Sequence, residues 1–363
     1  MKNYYFFIGT EAELIKMTAV IKFFQEKKVP FKIISSGQND LSKSVMLKYL
    51  HIKAVDINLT KKQVSQTPYG LISWFLKTTF RGLFVLGKEF RQLDKAKTWM
   101  IIHGDTVSTL MGAIIGRVYG LKIGHVEAGY KSSRLFYPFP EELDRTLSSY
   151  LSDVLFCPYT SIGHNALRIN KKKVNTFYNT SIDSLHIAMK IAPKSKLIRN
   201  LRNKKYFIFA LHRQEALLNK KLVIKLINFL FNLKTDLYCV FALHNPTKRL
   251  LNDLKLLNRI KRNKKIVVID RIPYIEYINV LTKSEFIMTD GVGNQQETYY
   301  LGKPCLILRN LTEGFEGLNN NAVLSFNNPL IINKFAKNYK RYQKPYIIPD
   351  KSPSVIIGQF LLK

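Results

Sequence analysis

Acidic residues are scarce in this chain. Among 363 residues, 25 Asp and Glu stand against 57 Lys and Arg, a formal charge of +32. Such an excess attracts anions of any kind, from phosphates to anionic lipid. The basic residues are dispersed in short runs such as Lys171-Lys172-Lys173, Lys204-Lys205 and Lys264-Lys265, and no block dominates. That spread reads as compositional drift rather than as a binding patch. Zinc-finger spacing and basic-aromatic RRM motifs are both missing, so nucleic acid is not an expected partner. Cysteine is rare as well. Cys157, Cys239 and Cys305 lie far apart in apolar, strand-like runs, which fits core residues better than metal ligands or disulfides. No stretch of 18 uncharged apolar residues exists, so no spanning helix is expected. Residues 1–8 are too short for the apolar region of a signal peptide, and the chain is expected to be cytoplasmic. The nearest approach to a long apolar run, residues 71–86, is broken by Lys77 and Arg81. It reads as a buried or interface helix, the candidate contact for a homodimer, with peripheral membrane association as the alternative. Low-complexity segments and repeats are lacking, which excludes disorder and solenoids.

What is present is a core. Hydrophobic residues make up 46% of the chain, and the length exceeds what one core supports, so two domains are expected. Short apolar runs alternate with helical patterns. Residues 4–8 read as a strand ending at Gly9-Thr10. Apolar residues then recur at helical spacing through Leu14, Ile15, Met17, Val20, Ile21 and Phe24. Further strands are expected at 31–35, 99–102, 122–126 and 154–157. The pattern restarts at 206–211, 237–243, 266–270, 286–289 and 304–308. This βαβ rhythm predicts an α/β fold: two Rossmann-like, doubly wound parallel-sheet domains facing a cleft. The Lys-, Arg- and Asn-rich stretch near 170–204 is taken as the junction. It gives domains at 1–172 and 173–347, with 348–363 packing back on the first.

Ligands of such folds bind beyond the carboxyl ends of the strands, and the charged motifs fall there. They are Gly9-Thr10-Glu11-Ala12-Glu13, His103-Gly104-Asp105, His125-Val126-Glu127, Leu211-His212-Arg213-Gln214-Glu215 and Asp290-Gly291-Val292-Gly293. A sixth, Pro138-Phe139-Pro140-Glu141-Glu142, follows Glu127. Ionised groups avoid the interior unless paired, so this concentration exceeds what a core needs. The Asp290 run reads as strand end, glycine turn and helix start, a geometry that suits a diphosphate. It is neither a Walker loop nor G-x-G-x-x-G. Asp105, Glu127 and Glu141 form a candidate acid/base set. Asp105 alone equally suits a helix N-cap, and Glu297 equally suits helix-dipole complementarity.

Taken together, the motifs resemble the UDP-N-acetylglucosamine 2-epimerase family. Its G-T-R-P-E-x-I-K is similar to residues 9–16, its H-G-D-T to 103–106 and its H-V-E-A-G to 125–129. Its P-x-P-E-E-x-x-R is similar to 138–145, its H-R-x-E to 212–215, its T-D-x-G-G-x-Q-E-E to 289–297 and its L-G-K-P to 301–304. The resemblance runs in order along nearly the whole chain and implies the GT-B arrangement. It implies a reaction in which UDP is expelled while the C2 proton leaves, giving a 2-acetamidoglucal to which UDP adds back with C2 inverted, without metal or other cofactor. Asp105, Glu127 and Glu141 would then be the acid/base groups, with His212 catalytic near the diphosphate. Lys16, Gln38, Arg213, Gly291, Gly293 and Glu297 would hold the UDP-sugar, and Tyr277 would lie against uracil.

The chain departs from these patterns at the phosphate grip. Glu11 and Gly314 replace two arginines, a loss of charge-assisted hydrogen bonds. Gly291 replaces a serine, Val292 the first glycine and Gln296 the first glutamate. Two readings stay open: Arg309, Arg213 or nearby lysines compensate, or Glu11 turns away and pairs with a lysine. Three alternatives stay open: a GT-B glycosyltransferase, a hydrolysing 2-epimerase and a non-catalytic relative.

Overall fold

The computed structural model describes residues 2–61, 64, 68–129, 141–158, 169–312 and 314–363. The chain forms two units, one of Met1–Ser184 with Pro349–Lys363 and the other of Leu185–Ile348.

In the first unit the chain runs β1 (Asn3–Ile8), α1 (Glu11–Glu26), β2 (Lys32–Ser35), α2 (Val45–Tyr49), β3 (Ile57–Asn58), α3 (Pro68–Gln92) and β4 (Thr98–His103). It continues through α4 (Val107–Val118), β5 (Lys122–Val126), α5 (Glu141–Leu151), β6 (Val154–Cys157), β7 (Lys172–Asn175) and the start of α6 (Ser181–Lys190). The strands form one parallel sheet in the order β3-β2-β1-β4-β5-β6-β7. The order reverses between β1 and β4, which makes the crevice beyond Ile8 and His103 the natural ligand position. Tyr5, Phe7, Ile34, Met100, Ile102 and Ile123 fill the core on one face, against Trp74, Leu86, Phe90 and Met111 of the helices.

The first unit extends to Ser184, beyond the expected boundary at 172. The reason is β7, whose Lys172–Asn175 pairs in parallel with β6. An edge strand needs no apolar run, and its lysines disguised it as linker. The last helix of the chain closes on this unit. Helix α3 spans the run expected to be a buried or interface helix. Its inner side is core, but Tyr69, Ile72, Leu76, Phe80, Phe84 and Val85 point outward and are exposed. Among the described residues no helix is long and apolar enough to cross a membrane.

The second unit runs α7 (Lys196–Leu201), β8 (Tyr206–Leu211), α8 (Gln214–Leu218), α9 (Lys220–Asn232), β9 (Tyr238–Leu243), α10 (Asn245–Asp253), α11 (Leu257–Arg262) and β10 (Ile266–Asp270). Then follow α12 (Tyr274–Lys283), β11 (Ile287–Thr289), α13 (Val292–Leu301), β12 (Cys305–Ile307), β13 (Ala322–Leu324) and α14 (Pro329–Asn338). Its parallel sheet has the order β10-β9-β8-β11-β12-β13, the same doubly wound plan, with its reversal between β8 and β11. Phe207, Phe209, Phe241, Phe286 and Phe335 dominate one core face. Cys157, Cys239 and Cys305 are buried and free. Helix α15 (Pro353–Leu362) returns to the first unit. Its Ile357 and Leu361 are buried, and the Tyr4 hydroxyl donates to the Leu361 carbonyl at 2.9 Å.

Candidate functional site

In the first unit the reactive side chains gather at the sheet reversal. Glu127 follows β5 with a left-handed backbone, φ +62°. A non-glycine residue in that region carries about 1–2 kcal/mol of strain, and the surroundings determine it: Lys16 from α1 donates to both carboxylate oxygens at 2.8 and 2.7 Å. His103 Nε2, at the end of β4, lies 3.0 Å away. Burial alone would raise this carboxyl, but Lys16 and His103 outweigh it and hold Glu127 well below the usual carboxylate range. His125 beneath it is neutral: burial pushes its pKa down to about 4. Its Nε2–H donates to the Gly104 carbonyl at 2.7 Å, and Nδ1 accepts from the Ser149 hydroxyl at 3.1 Å.

A second carboxylate group surrounds Arg145 of α5. This guanidinium pairs with Asp105 and donates to Glu142 at 2.7 Å. Asp144 lies within the fields of both Asp105 and Glu141. Burial, then those two charges, push its carboxyl up to about 7. The site therefore holds one carboxylate forced to stay ionised and another that retains a proton near neutrality, and such divergence is a mark of acid/base chemistry. Glu13 belongs to the scaffold instead. It accepts from the backbone of Gly9 at 2.6 Å and Thr10 at 3.2 Å and closes a capping box with Thr10, which is worth about 1 kcal/mol. Gln38 accepts from the Ser108 hydroxyl at 2.6 Å.

The second unit's site is built on Asp290, which is buried at the end of β11. Its carboxylate accepts from the backbone of His212 at 3.0 and 3.1 Å and of Arg213 at 3.0 Å. The His212 Nδ1 lies 3.3 Å from the same group. The His212 ring stacks on His244, with centroids 4.8 Å apart and planes 22° from parallel. Glycine at 291 leaves room for the ring where it stands, since a Cβ there would lie 2.3 Å from His212 Cε1. Gly291 also starts α13 with no side-chain cap, which leaves N–H groups at a positive helix end. At Gly293 a Cβ would meet nothing within 4 Å, so the turn is open. The Tyr277 hydroxyl donates to Asn294 at 2.8 Å. Burial and the nearby Glu297 push the Tyr277 hydroxyl up, which places tyrosine and glutamate side by side.

A family model for UDP-N-acetylglucosamine 2-epimerase matches residues 22–347. The chain belongs to this family. Its members are isomerases, and this chain has the family's α/β fold. A UDP-N-acetylglucosamine 2-epimerase of Methanococcus maripaludis is 30% identical over 355 residues, covering 93% of each chain. One from Bacillus subtilis is 29% identical over 316 residues, covering 85% of this chain and 79% of its own. The structure of the Methanocaldococcus jannaschii enzyme, solved with UDP-GlcNAc and UDP, superposes with TM-score 0.81 at 27% identity, covering all of both chains.

Seen as a family member, the chain's departures fall into physical sets. The Glu11 carboxylate accepts from the Ser44 hydroxyl at 2.8 Å. Gly314 abuts Val292: a Cβ at 314 would lie 2.9 Å from Val292 Cγ1. The two departures, at 314 and at 292, therefore meet in space. Gln296 donates to Glu316 at 2.8 Å, where a glutamate would have set two carboxylates together. Lys16, expected at UDP, sits on Glu127. Sequence reasoning overlooked His103 as a neighbour of Glu127, Arg145 as the partner of Asp105, and Asp144 and Asp290. Arg145 and Asp290 lay inside quoted motifs, but nothing in the spacing revealed their partners. Pro138, Phe139, Pro140 and Glu313 lie outside the described residues.

Proposed function

We propose that this family member interconverts UDP-GlcNAc and UDP-ManNAc, or a related UDP-HexNAc pair, by expelling UDP and adding it back. The observation that carries the reading is the opposed state of the first unit's carboxyls. Glu127 is held ionised by Lys16 and His103, while Asp144 beside Asp105 and Glu141 retains a proton. A C2 proton that leaves with the anomeric diphosphate needs a base at one face and a proton source for its return. Glu127, Asp105 and Glu141 are the groups assigned to this work. Lys16 and Arg145 keep their charges oriented, and each acid or base is worth about 10²–10⁴ in rate. His212, Arg213 and the open start of α13 are assigned to the diphosphate, where fixed donors stabilise developing charge without reorganisation. Gly291 and Gly293 give the backbone room there, Tyr277 and Glu297 are assigned to the nucleoside, and Gln38 to the substrate. The product, an activated amino sugar, suits donation in surface polysaccharide synthesis in the cytoplasm.

The test is incubation with UDP-GlcNAc in D₂O, followed by NMR. Deuterium at C2 together with UDP-ManNAc is the expected result. Free ManNAc and UDP would indicate the hydrolysing variety. UDP release only on addition of an acceptor, with no exchange, would reverse the assignment in favour of a transferase.

A further inference from the structure

The ends of three adjacent strands in the second unit fall in one register. Leu211 of β8 pairs with Leu243 of β9, and Leu243 with Asp270 of β10. The residues that follow these ends are His212, His244 and Arg271. On the other side of β8, Thr289 of β11 pairs with Ala210 and with Ile307 of β12, so continuing the register brings Gly291 and Arg309 level with His212. One row therefore reads Arg271, His244, His212, Gly291, Arg309 across five strand ends.

The charges along this row differ in kind. Arg309 and Arg213 both reach Glu215, at 3.3 and 3.6 Å, so part of their charge is already matched. Both histidines are held neutral. Burial lowers His244 to about 4, helped by His212 and Arg271, and it lowers His212 despite Asp290, again with Arg271 contributing. Arg271 is exposed and, among the described residues, pairs with no carboxylate. Its neighbour Asp270 is taken by Lys248 at 2.7 Å. Two helices also begin in this row, α10 after His244 and α13 after Gly291, and neither has a side-chain cap. The row thus offers an unmatched guanidinium and two open helix starts, the donor set of an anion seat, beside two stacked neutral imidazoles.

We propose that Arg271 is a binding residue for the diphosphate of the nucleotide, and that His244 is the positioning residue that holds His212 flat beside it. This rests on the epimerase reading and deepens it. The row supplies charge that Glu11 and Gly314 do not, from a strand end none of the motifs covers. A guanidinium at an exposed strand end binds phosphate oxygens as the nucleotide arrives and stabilises the negative charge of departing UDP.

The experiment is calorimetric binding of UDP and uridine to the full-length wild type, Arg271→Ala, Arg271→Lys and His244→Phe. Arg271→Ala is expected to weaken UDP about tenfold, equal to about 1.4 kcal/mol, and to leave uridine unchanged. Arg271→Lys should recover part of the loss, and the salt dependence of UDP binding should be shallower in Arg271→Ala. His244→Phe keeps a ring against His212 and should bind UDP within about twofold of wild type. UDP affinity unchanged in Arg271→Ala, against a wild type that binds UDP, overturns the proposal and leaves the epimerase reading intact. Equal losses for UDP and uridine also overturn it, since they indicate a structural role. A wild type that binds no UDP defeats both readings.

Discussion

The two units share one sheet plan and differ in how they treat charge. In the first, the ionised groups at the strand ends come already paired: Lys16 on Glu127 and Arg145 on Asp105 and Glu142. In the second, the histidines are neutral and stacked, and the helix starts are open. A site whose charges are matched before substrate arrives suits proton transfer, because pairing sets which carboxyl is ionised. A site with unused donors suits an anion that comes and goes. The comparison explains how one fold, used twice, serves two tasks on one molecule.

The largest effect is expected where the first unit's pairing is broken at the reacting group. Glu127→Gln, or Asp105→Asn, should lower C2 deuterium exchange by about 10²–10⁴ while UDP affinity stays within about twofold. Stopped exchange with lost UDP binding would mean that the division between units is wrong. The next effect tests the second unit's packing. Gly314→Arg restores a family residue yet should destabilise the fold by about 1–3 kcal/mol, because its Cβ meets Val292. Adding Val292→Gly should recover the loss in thermal melts. If Gly314→Arg alone is neutral, the contact with Val292 is not the reason for the departure.

The smallest effect concerns pH. Asp144 has a folded pKa raised to about 7 from 3.8, so the folded state binds more protons than the unfolded state between those values. Its contribution is therefore lost as pH rises from about 4 to 7. Asp144→Asn should melt higher than wild type at pH 8 and nearly level with it at pH 4. Glu127 has the opposite sign: its contribution is present above the unfolded pKa and lost as pH falls toward the depressed folded value.

The strands with apolar runs were legible in the sequence, with ends shifted by a residue or so; residues 237–243 became Tyr238–Leu243 and 304–308 became Cys305–Ile307. The strands that escaped were the two-residue β3, the lysine-bearing β7 and the short β13, whose pairing depends on neighbours rather than on their own pattern. The motif residues were legible because they stand at strand ends. Their partnerships were not. Lys16 reaches Glu127 from 111 positions away, and the left-handed backbone that aims Glu127 leaves no mark in composition. The row of Arg271, His244 and His212 exists only through register.

The central claim is that the diphosphate leaves and returns while C2 exchanges its proton. It is tested most directly with UDP-GlcNAc carrying ¹⁸O in the bridge between C1 and the β-phosphorus. The account predicts that the label scrambles into the non-bridging β-phosphate oxygens at a rate matching deuterium incorporation at C2. Deuterium incorporated with the label still in the bridge would contradict it, because C2 would then be exchanging without departure of UDP.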